Sequence, residues 1–549
     1  MLQQVEGRLL DPTTAMAVSQ VSPRSTVYVG PRLVISALRD RDIVLAQLRE
    51  VADGLDWELT VDESLPDVQV RADEKRHNQL AEHSLWGRRS RSAGSRRRWE
   101  KAALGVTRVR LSVRSDRAAA PPDGWVLLQK ARAVHGADAM QGVGLDHVLF
   151  VSQPEISANP FDESNPFDES NPFDESNPFD ESNPLGGAAP VSSYAISTYG
   201  RPGSGGRQPV AFVGPPPLRQ PDSAIPGRRP VVGILDTGCG RHPWLDGIVR
   251  TNVRLDGQPI GYTDPTTSPE KHADQTGPLD GGIDELSGHG TFISGLVRQA
   301  CPDADILAWR IVNSSGPIVE SEWVTALTQV VELVRRYYDG EVGGQPVDVL
   351  NLSMGYYHET LEDTLFDPTI YHLLETLGEL GTVVTCSAGN DATARPFFPA
   401  AFAPWSDDRG PVADRPDCVP VVSVGALNPN RRTVALFSNT GHWVRCYANG
   451  AAVLSTMPQL QGGLQPVART VAFGTVRESI DPDDFGGRFA VWSGTSFAAP
   501  LQAGKIAAHM LAHMPAAQEA PSREEAVRRG REAVAHAFAD APRYKGADG

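Results

Sequence analysis

Cysteine is scarce and unpatterned in this sequence. Cys239, Cys301, Cys386, Cys418 and Cys446 are an odd number, thinly spread, with no CxxC pair. That excludes a disulfide framework or a zinc ribbon and fits free thiols in a reducing compartment. An excess of positive charge is missing too. A formal net charge of −16 and a pI near 5.3 exclude nucleic acid as the main partner, because phosphate binding needs a basic surface. No stretch approaches the ~18 uninterrupted apolar residues of a membrane-spanning helix. The start, Met1 to Arg8, has neither a basic segment followed by an apolar run nor a small-residue cleavage site. The expectation is a cytoplasmic protein with no membrane partner; export without a recognisable signal stays open.

With 549 residues the chain is too long for one ordinary core, so two domains and linkers are expected. Residues 1–153 form the first. Residues 26–35 are strand-like, and Val44, Leu48, Val51 and Leu55 share one face of a helix over 42–55. Residues 57–61 and 106–113 alternate as half-buried strands do. Asp123 can cap a helix running through Trp125, Leu128, Ala131 and Val134, and residues 148–151 give a last short strand. The order β-α-β-β-α-β is the ferredoxin-like arrangement. A basic insertion, residues 71–104 with Arg88, Arg89, Arg91, Arg96, Arg97, Arg98 and Lys101, interrupts it. It reads as a solvated loop, with docking to an acidic partner, or to the acidic repeat that follows, as the alternative.

From Asn159 the hexapeptide Asn-Pro-Phe-Asp-Glu-Ser repeats four times. The period is too short to bury a core, and each copy carries proline and two acids, so a flexible acidic spacer is expected. The Asn-Pro-Phe tripeptides as binding motifs are the alternative. The whole connection, residues 154–228, would span on the order of 50 Å as a coil. Residues 229–515 then alternate apolar strands with helical patterns, which predicts a parallel sheet covered by helices on both faces, an α/β fold. Residues 516–549 read as a polar appendage with a capping box at Ser522 and Glu525.

Three segments of this second domain set a reactive residue among small neighbours. Val231-Val232-Gly233-Ile234-Leu235-Asp236-Thr237-Gly238 is an apolar strand ending in an acid, at the edge where open α/β sheets bind ligands. Ser287-Gly288-His289-Gly290-Thr291 and Ser493-Gly494-Thr495-Ser496-Phe497-Ala498-Ala499-Pro500 each open a helix. A serine hydroxyl is a poor nucleophile near neutral pH, so an imidazole must take its proton, and a carboxylate must hold that imidazole in the right tautomer. The chain order Asp, His, Ser is that of subtilisin, and the elbow G-x-S-x-G fails because Ala498 follows Phe497. A fourth segment, residues 382–391, runs from a strand to Ser387-Ala388-Gly389-Asn390, whose amide can donate to a tetrahedral oxyanion.

Taken together, Asp236-Thr237-Gly238, Gly288-His289-Gly290-Thr291, Ser387-Ala388-Gly389-Asn390 and Gly494-Thr495-Ser496-Phe497-Ala498-Ala499-Pro500 resemble the subtilase family. Asn351-Leu352-Ser353-Met354-Gly355, Phe437-Ser438-Asn439-Thr440-Gly441 and Val453-Leu454-Ser455-Thr456 look familial as well. The resemblance runs from about Pro230 to His513. It implies a subtilisin-like sheet and a serine endopeptidase with Asp236, His289 and Ser496 as triad and Asn390 as oxyanion donor. It further implies protein or peptide substrates lying as a strand along Ser353, Met354 and Gly355, with Ser387, Ala388 and Gly389 also binding substrate. The first domain is similar to a subtilase propeptide in topology, which implies an inhibitor of the chain's own active site. No cofactor is needed for such chemistry; calcium is common in the family, but no compact oxygen-ligand loop stands out.

Departures accompany the likeness. Phe292 stands where the family often has a second histidine, which should alter packing more than chemistry. Asp236 and His289 are 53 residues apart, and the extra material, residues 264–284, is expected as a surface loop near the cleft. Cys239 reads as a buried small hydrophobe, with a redox brake as the alternative. The rival reading of the chain is a binding or scaffold protein on an inactivated protease fold; a serine esterase is disfavoured by motif order.

Overall fold

A computed structural model describes residues 5–18, 22–63, 70–71, 103–151, 207–210, 213–276, 283–313, 316–360, 368–461, 469–478, 485–516 and 521–540. The arginine-rich part of the insertion and the hexapeptide repeat lie outside these residues.

The N-terminal unit contains β1 (Gly7–Leu10), β2 (Thr26–Ser36), α1 (Arg41–Asp53), β3 (Trp57–Val61), β4 (Val106–Val113), α2 (Gly124–His135) and β5 (Val143–Val151). Its strands pair antiparallel in the order β5-β2-β4-β3, with β1 added alongside β2. That spatial order is the ferredoxin-like one. Both helices start where a side chain replaces missing backbone acceptors: Asp40 accepts from Asp42 N and Ile43 N, and Asp123 from Val126 N. Val44, Leu48 and Val51 of α1 and Leu128 and Ala131 of α2 then bury against the sheet. The short β1 was invisible to periodicity because only Leu10 of its four residues is buried.

The second unit has a seven-stranded parallel sheet. In chain order its elements begin with β6 (Val231–Asp236), β7 (Val249–Arg250), α3 (His289–Ala300), β8 (Asp305–Arg310), β9 (Ile318–Val319) and α4 (Glu320–Asp339). There follow β10 (Val349–Leu352), β11 (Met354–Gly355), α5 (Pro368–Glu379), β12 (Val383–Ser387), β13 (Val422–Leu427), β14 (Cys446–Asn449), β15 (Val453–Thr456), β16 (Phe489–Trp492), α6 (Thr495–Leu511) and α7 (Arg523–Asp540). The sheet order is β7-β8-β6-β10-β12-β13-β14. Successive strand residues face opposite sides, and both sides are apolar, as a doubly covered sheet requires. Leu235, Trp309, Leu350 and Val384 join α4 and α5 in one core, while Val232, Ile234, Val349 and Val383 join α3, α6 and α7 in the other.

Two expectations are corrected. The connection stops being a spacer before residue 228. Residues Gln208–Pro209 pair antiparallel with Val491 and Ala490. Arg207 donates to the Ser287 and Asp284 carbonyls at 2.5 Å and lies over the Trp492 ring, and Arg219 donates to Ala304 O. Polar composition hid this because the segment is held by charge and backbone bonds more than by apolar burial. The C-terminal helix is also no appendage. Val527, Ala533, Val534 and Ala537 of α7 belong to the second core, and Ala526 and Arg529 are buried. Gly381 and Gly530 permit the close approach, since a Cβ at either would press on the facing chain.

The two units share a sheet. β5 pairs antiparallel with β9 (Leu149 with Ile318) and with β11 (Val151 with Met354, Phe150 with Gly355). At the same seam Asp146 accepts from Ser321 N at 2.9 Å and Ser321 Oγ at 3.0 Å. It thereby caps α4, whose own N-cap residue, Val319, has no side chain able to do so. Thr26 Oγ1 donates to Tyr357 O at 2.6 Å, and Arg24 N to Glu359 O at 2.8 Å.

Ending the chain after residue 516 should lower the melting temperature by on the order of 10 °C, because several apolar side chains lose their cover. Calorimetry checks this; an unchanged transition would return α7 to the status of an appendage.

Candidate active site

All the sequence-predicted site residues meet at the C-terminal edge of the parallel sheet. The chain leaves β6 towards β8 on one side and resumes with β10 on the other, so a crevice opens where strand order reverses. Asp236 ends β6, His289 begins α3, Ser353 follows β10, Ser387 closes β12 with Ala388, Gly389 and Asn390 after it, and Ser496 lies in the first turn of α6. All are buried.

His289 Nδ1 lies 2.7 Å from Asp236 Oδ1. The same carboxylate oxygen accepts from Thr237 N at 2.7 Å and Thr237 Oγ1 at 3.1 Å. The ring is walled by Trp492, edge-on with centroids 5.5 Å apart, and by Phe497 at 5.2 Å. Phe292 completes this aromatic group, 4.6 Å from Phe497 and 5.5 Å from Trp492. His289 Nε2 is buried and has no hydrogen-bond partner among the described residues.

Ser496 sits beside Phe497, and its Oγ donates to Ser353 O at 3.3 Å. Pro500 lacks the N–H that would bond Ser496 O four residues earlier. Ser353 Oγ supplies the missing donor at 3.0 Å and itself accepts from Asn351 Nδ2 at 2.9 Å. The start of α6 is thereby fixed to the end of β10. Asn390 is oriented by a different grip: its Oδ1 accepts from Thr495 N at 2.9 Å and Thr495 Oγ1 at 2.8 Å. That leaves Asn390 Nδ2 buried without a partner among the described residues, beside the N-terminal end of α6 with its partial positive charge. Such a pair of features can stabilise an oxygen anion.

Gly389 adopts φ +96 and would drive a Cβ into Asn439 Nδ2. Asn439, in a segment noted from sequence without a role, holds this turn by accepting from Asp391 N and Thr393 N while donating to Ala388 O and Tyr357 Oη. Met354 and Gly355 pair with the end of β5. Cys239 has its thiol pushed up to about 12, by burial first and by the Glu270 charge. The residue itself is half-buried, and a raised thiol disfavours the thiolate that a redox brake needs. The segment expected as a surface loop is corrected in part. Pro265–Thr267 is exposed, but Glu270 and Ala273 are buried. Among the described residues no group of three or more His, Cys, Asp or Glu side chains is gathered as a metal ion would need, and no helix is long and apolar enough to cross a membrane.

A parallel α/β sheet with an acid, an imidazole, a hydroxyl and an amide at its carboxyl edge defines a class of protein in which these groups occur in this chain order. Residues 227–531 match the Subtilase family, and the chain belongs to that family. It is 26% identical over 292 residues to an intracellular serine protease of Paenibacillus polymyxa, covering 51% of this chain and 66% of that relative. It is also 26% identical over 287 residues to a thermophilic serine proteinase of Bacillus sp. (strain AK1), covering 50% and 51%. The chain thus spans less than two thirds of either relative's length. Among solved structures it is similar to a cold adapted subtilisin-like serine proteinase (17% identity, TM-score 0.34, 55% of this chain and 81% of that one). A lanthipeptide protease is similar too (19%, TM-score 0.36, 56% and 80%).

At Gly290 the helix α3 packs on the turn that follows the acid: a Cβ there would overlap the Gly238 carbonyl and crowd Thr237 Oγ1. Gly290→Ala should cost about 1–3 kcal/mol in denaturant unfolding; a wild-type midpoint would show the approach to be slack.

Proposed function

We propose that the chain is a serine endopeptidase in which Ser496 attacks a peptide carbonyl and His289 takes its proton. Asp236 holds the imidazole, and Asn390 donates to the oxyanion. The observation that carries this reading is the buried 2.7 Å bond between His289 Nδ1 and Asp236 Oδ1. It fixes the tautomer that leaves Nε2 as the base. The Ser496 hydroxyl donates to Ser353 O in the free chain, and the proposed reaction requires it to hydrogen-bond Nε2 instead. Such bonds commonly tighten when substrate is bound. The chemistry uses protein groups alone. A relative named as an intracellular serine protease supports a cytoplasmic site of action, as do five cysteines without a disulfide.

An organophosphonate probe should label Ser496 in the processed protein and fail after Ser496→Ala, with hydrolysis of unfolded protein lost in parallel. Processed wild-type protein that takes no label would favour an inactive scaffold. Asn390→Ala should lower kcat by about 10²- to 10³-fold with KM little changed.

The N-terminal unit reads as an inhibitor of its own chain. In support, Phe150 and Val151 pair with Gly355 and Met354, the edge along which a substrate strand is proposed to lie. The seam also carries a buried ionic lock. His147 donates Nε2–H to Glu359 at 2.7 Å, and its Nδ1 meets Glu320, which also accepts from His147 N. Its ring stacks on Tyr356, with His358 tilted beside it. Burial alone would push His147 down, but the charges of Glu320 and Glu359 outweigh it and raise it to about 10. The other charged groups at the seam are Arg132, pushed down to about 10 by burial against the Glu359 charge, and Asp146, raised to about 6 by burial. Arg32 and Arg108 lie near Asp146, Arg108 pairs with Glu322, and burial keeps His358 below its ordinary value.

Docking therefore takes up a proton at His147. Its contribution is complete below the ordinary 6.5 and is lost as pH rises through about 10. In the Ser496→Ala chain, adding His147→Gln should lower the melting temperature most below pH 6.5, and the difference should shrink towards pH 10. A difference constant across that range would remove the lock.

A further inference from the structure

Glu270 is a second buried carboxylate near Asp236, and the reaction as proposed leaves it without a task. Helix α3, which begins with His289, has a poor start. Its N-cap residue is Gly288, with φ +83 and no side chain to accept a first-turn N–H. Those N–H groups are orphaned unless something outside the helix accepts them. Glu270 Oε1 accepts from Gly290 N at 2.9 Å and from Thr291 N at 3.3 Å, while Oε2 accepts from Thr291 Oγ1.

A second set of bonds runs the other way. Thr237 Oγ1 meets Glu270 Oε1 and lies 3.1 Å from Asp236 Oδ1, while accepting from Gly290 N at 2.7 Å. One hydroxyl thus joins the two carboxylates and the helix start. The loop that presents Glu270 is itself anchored. Gly288 N donates to Pro269 O at 3.0 Å, and Gln461 N donates to Lys271 O at 2.7 Å. Gly240 lies so close that a Cβ there would crowd Glu270 O at 2.9 Å.

We propose that Glu270 is a positioning residue: its carboxylate caps the helix carrying His289 and, through Thr237, ties that helix to Asp236. This rests on the reading of Asp236, His289 and Ser496 as the reacting groups, and it assigns a task to the long Asp–His connection. A helix without its own cap would otherwise leave the direction of its first residue loosely set, and that residue is the imidazole. Burial pushes the Glu270 carboxyl up from its ordinary value. The bonds from Thr237, Thr291 and Gly290 oppose this, and the Asp236 charge adds to it. A glutamine of equal length keeps an acceptor oxygen for the two backbone N–H groups, so length and direction matter more here than charge.

The test is steady-state kinetics of the processed enzyme on one peptide substrate, with melting temperatures taken alongside. Glu270→Ala should lower kcat by about 10²-fold, the usual penalty of misplacing a reacting group by an ångström, and leave KM within about twofold. Glu270→Gln should restore kcat to within about fivefold of wild type, whereas Glu270→Asp, charged but one methylene short, should stay about tenfold down or more. An unchanged kcat in Glu270→Ala overturns the inference, as does an Asp variant that outperforms Gln. If Glu270→Ala does not fold, the Gln and Asp pair still decides. A Ser496→Ala chain that hydrolyses as wild type would instead overturn the underlying reading. Loss of activity in Ser496→Ala with normal kcat in Glu270→Ala removes the Glu270 inference alone.

Discussion

The bond between His289 Nδ1 and Asp236 Oδ1, 2.7 Å long and closed off from solvent, is the constraint on which the rest depends. It joins the last residue of a central strand to the first residue of a helix, and losing it would leave the buried Nδ1–H without its acceptor. Everything adjacent serves that junction. Gly290 lets the helix approach, Thr237 and Glu270 supply acceptors for its first turn, and Trp492, Phe497 and Phe292 exclude water from the ring. In a dry, close-packed setting of this kind a hydrogen bond is stronger than in water, and an error in placing any partner is costlier.

A comparable logic governs the proposed nucleophile. α6 is rich in alanine, and it threads the second core, where Ala498, Ala499, Ala503 and Ala507 are fully buried. Its first turn then emerges at the sheet edge, and the carbonyl freed by Pro500 is taken by Ser353. The helix position and the strand edge are thus set by the same bond. A substrate strand laid along Met354 and Gly355 would be registered against Ser496 without any further adjustment.

The seam with the N-terminal unit uses different physics. Apolar packing there joins Val27, Val29 and Val148 to Val319 and draws Leu38, Leu104, Leu149 and Val151 into the first core of the second unit. Polar specificity is added by strand pairing, the Asp146 cap on α4 and the paired charges around His147. Charges taken from water need full pairing to remain tolerable. An interface that includes them is sensitive to the loss of any one member.

The sequence by itself determined the element order, the two faces of the parallel sheet and the residues gathered at its carboxyl edge. Apolar periodicity and glycine-flanked polar residues are local properties, and Asp236, His289, Asn390 and Ser496 each announce themselves within ten neighbours. It misjudged segments whose place depends on distant partners. The stretch from Arg207 to Arg228 and the helix from Arg523 are polar in composition, and β1 shows little alternation. Glu270 looked like one more acid in a polar loop. Only the tertiary structure decided that this carboxylate turns inward, because its partners are backbone N–H groups at the start of a helix twenty residues on, and no side-chain pattern records an uncapped backbone.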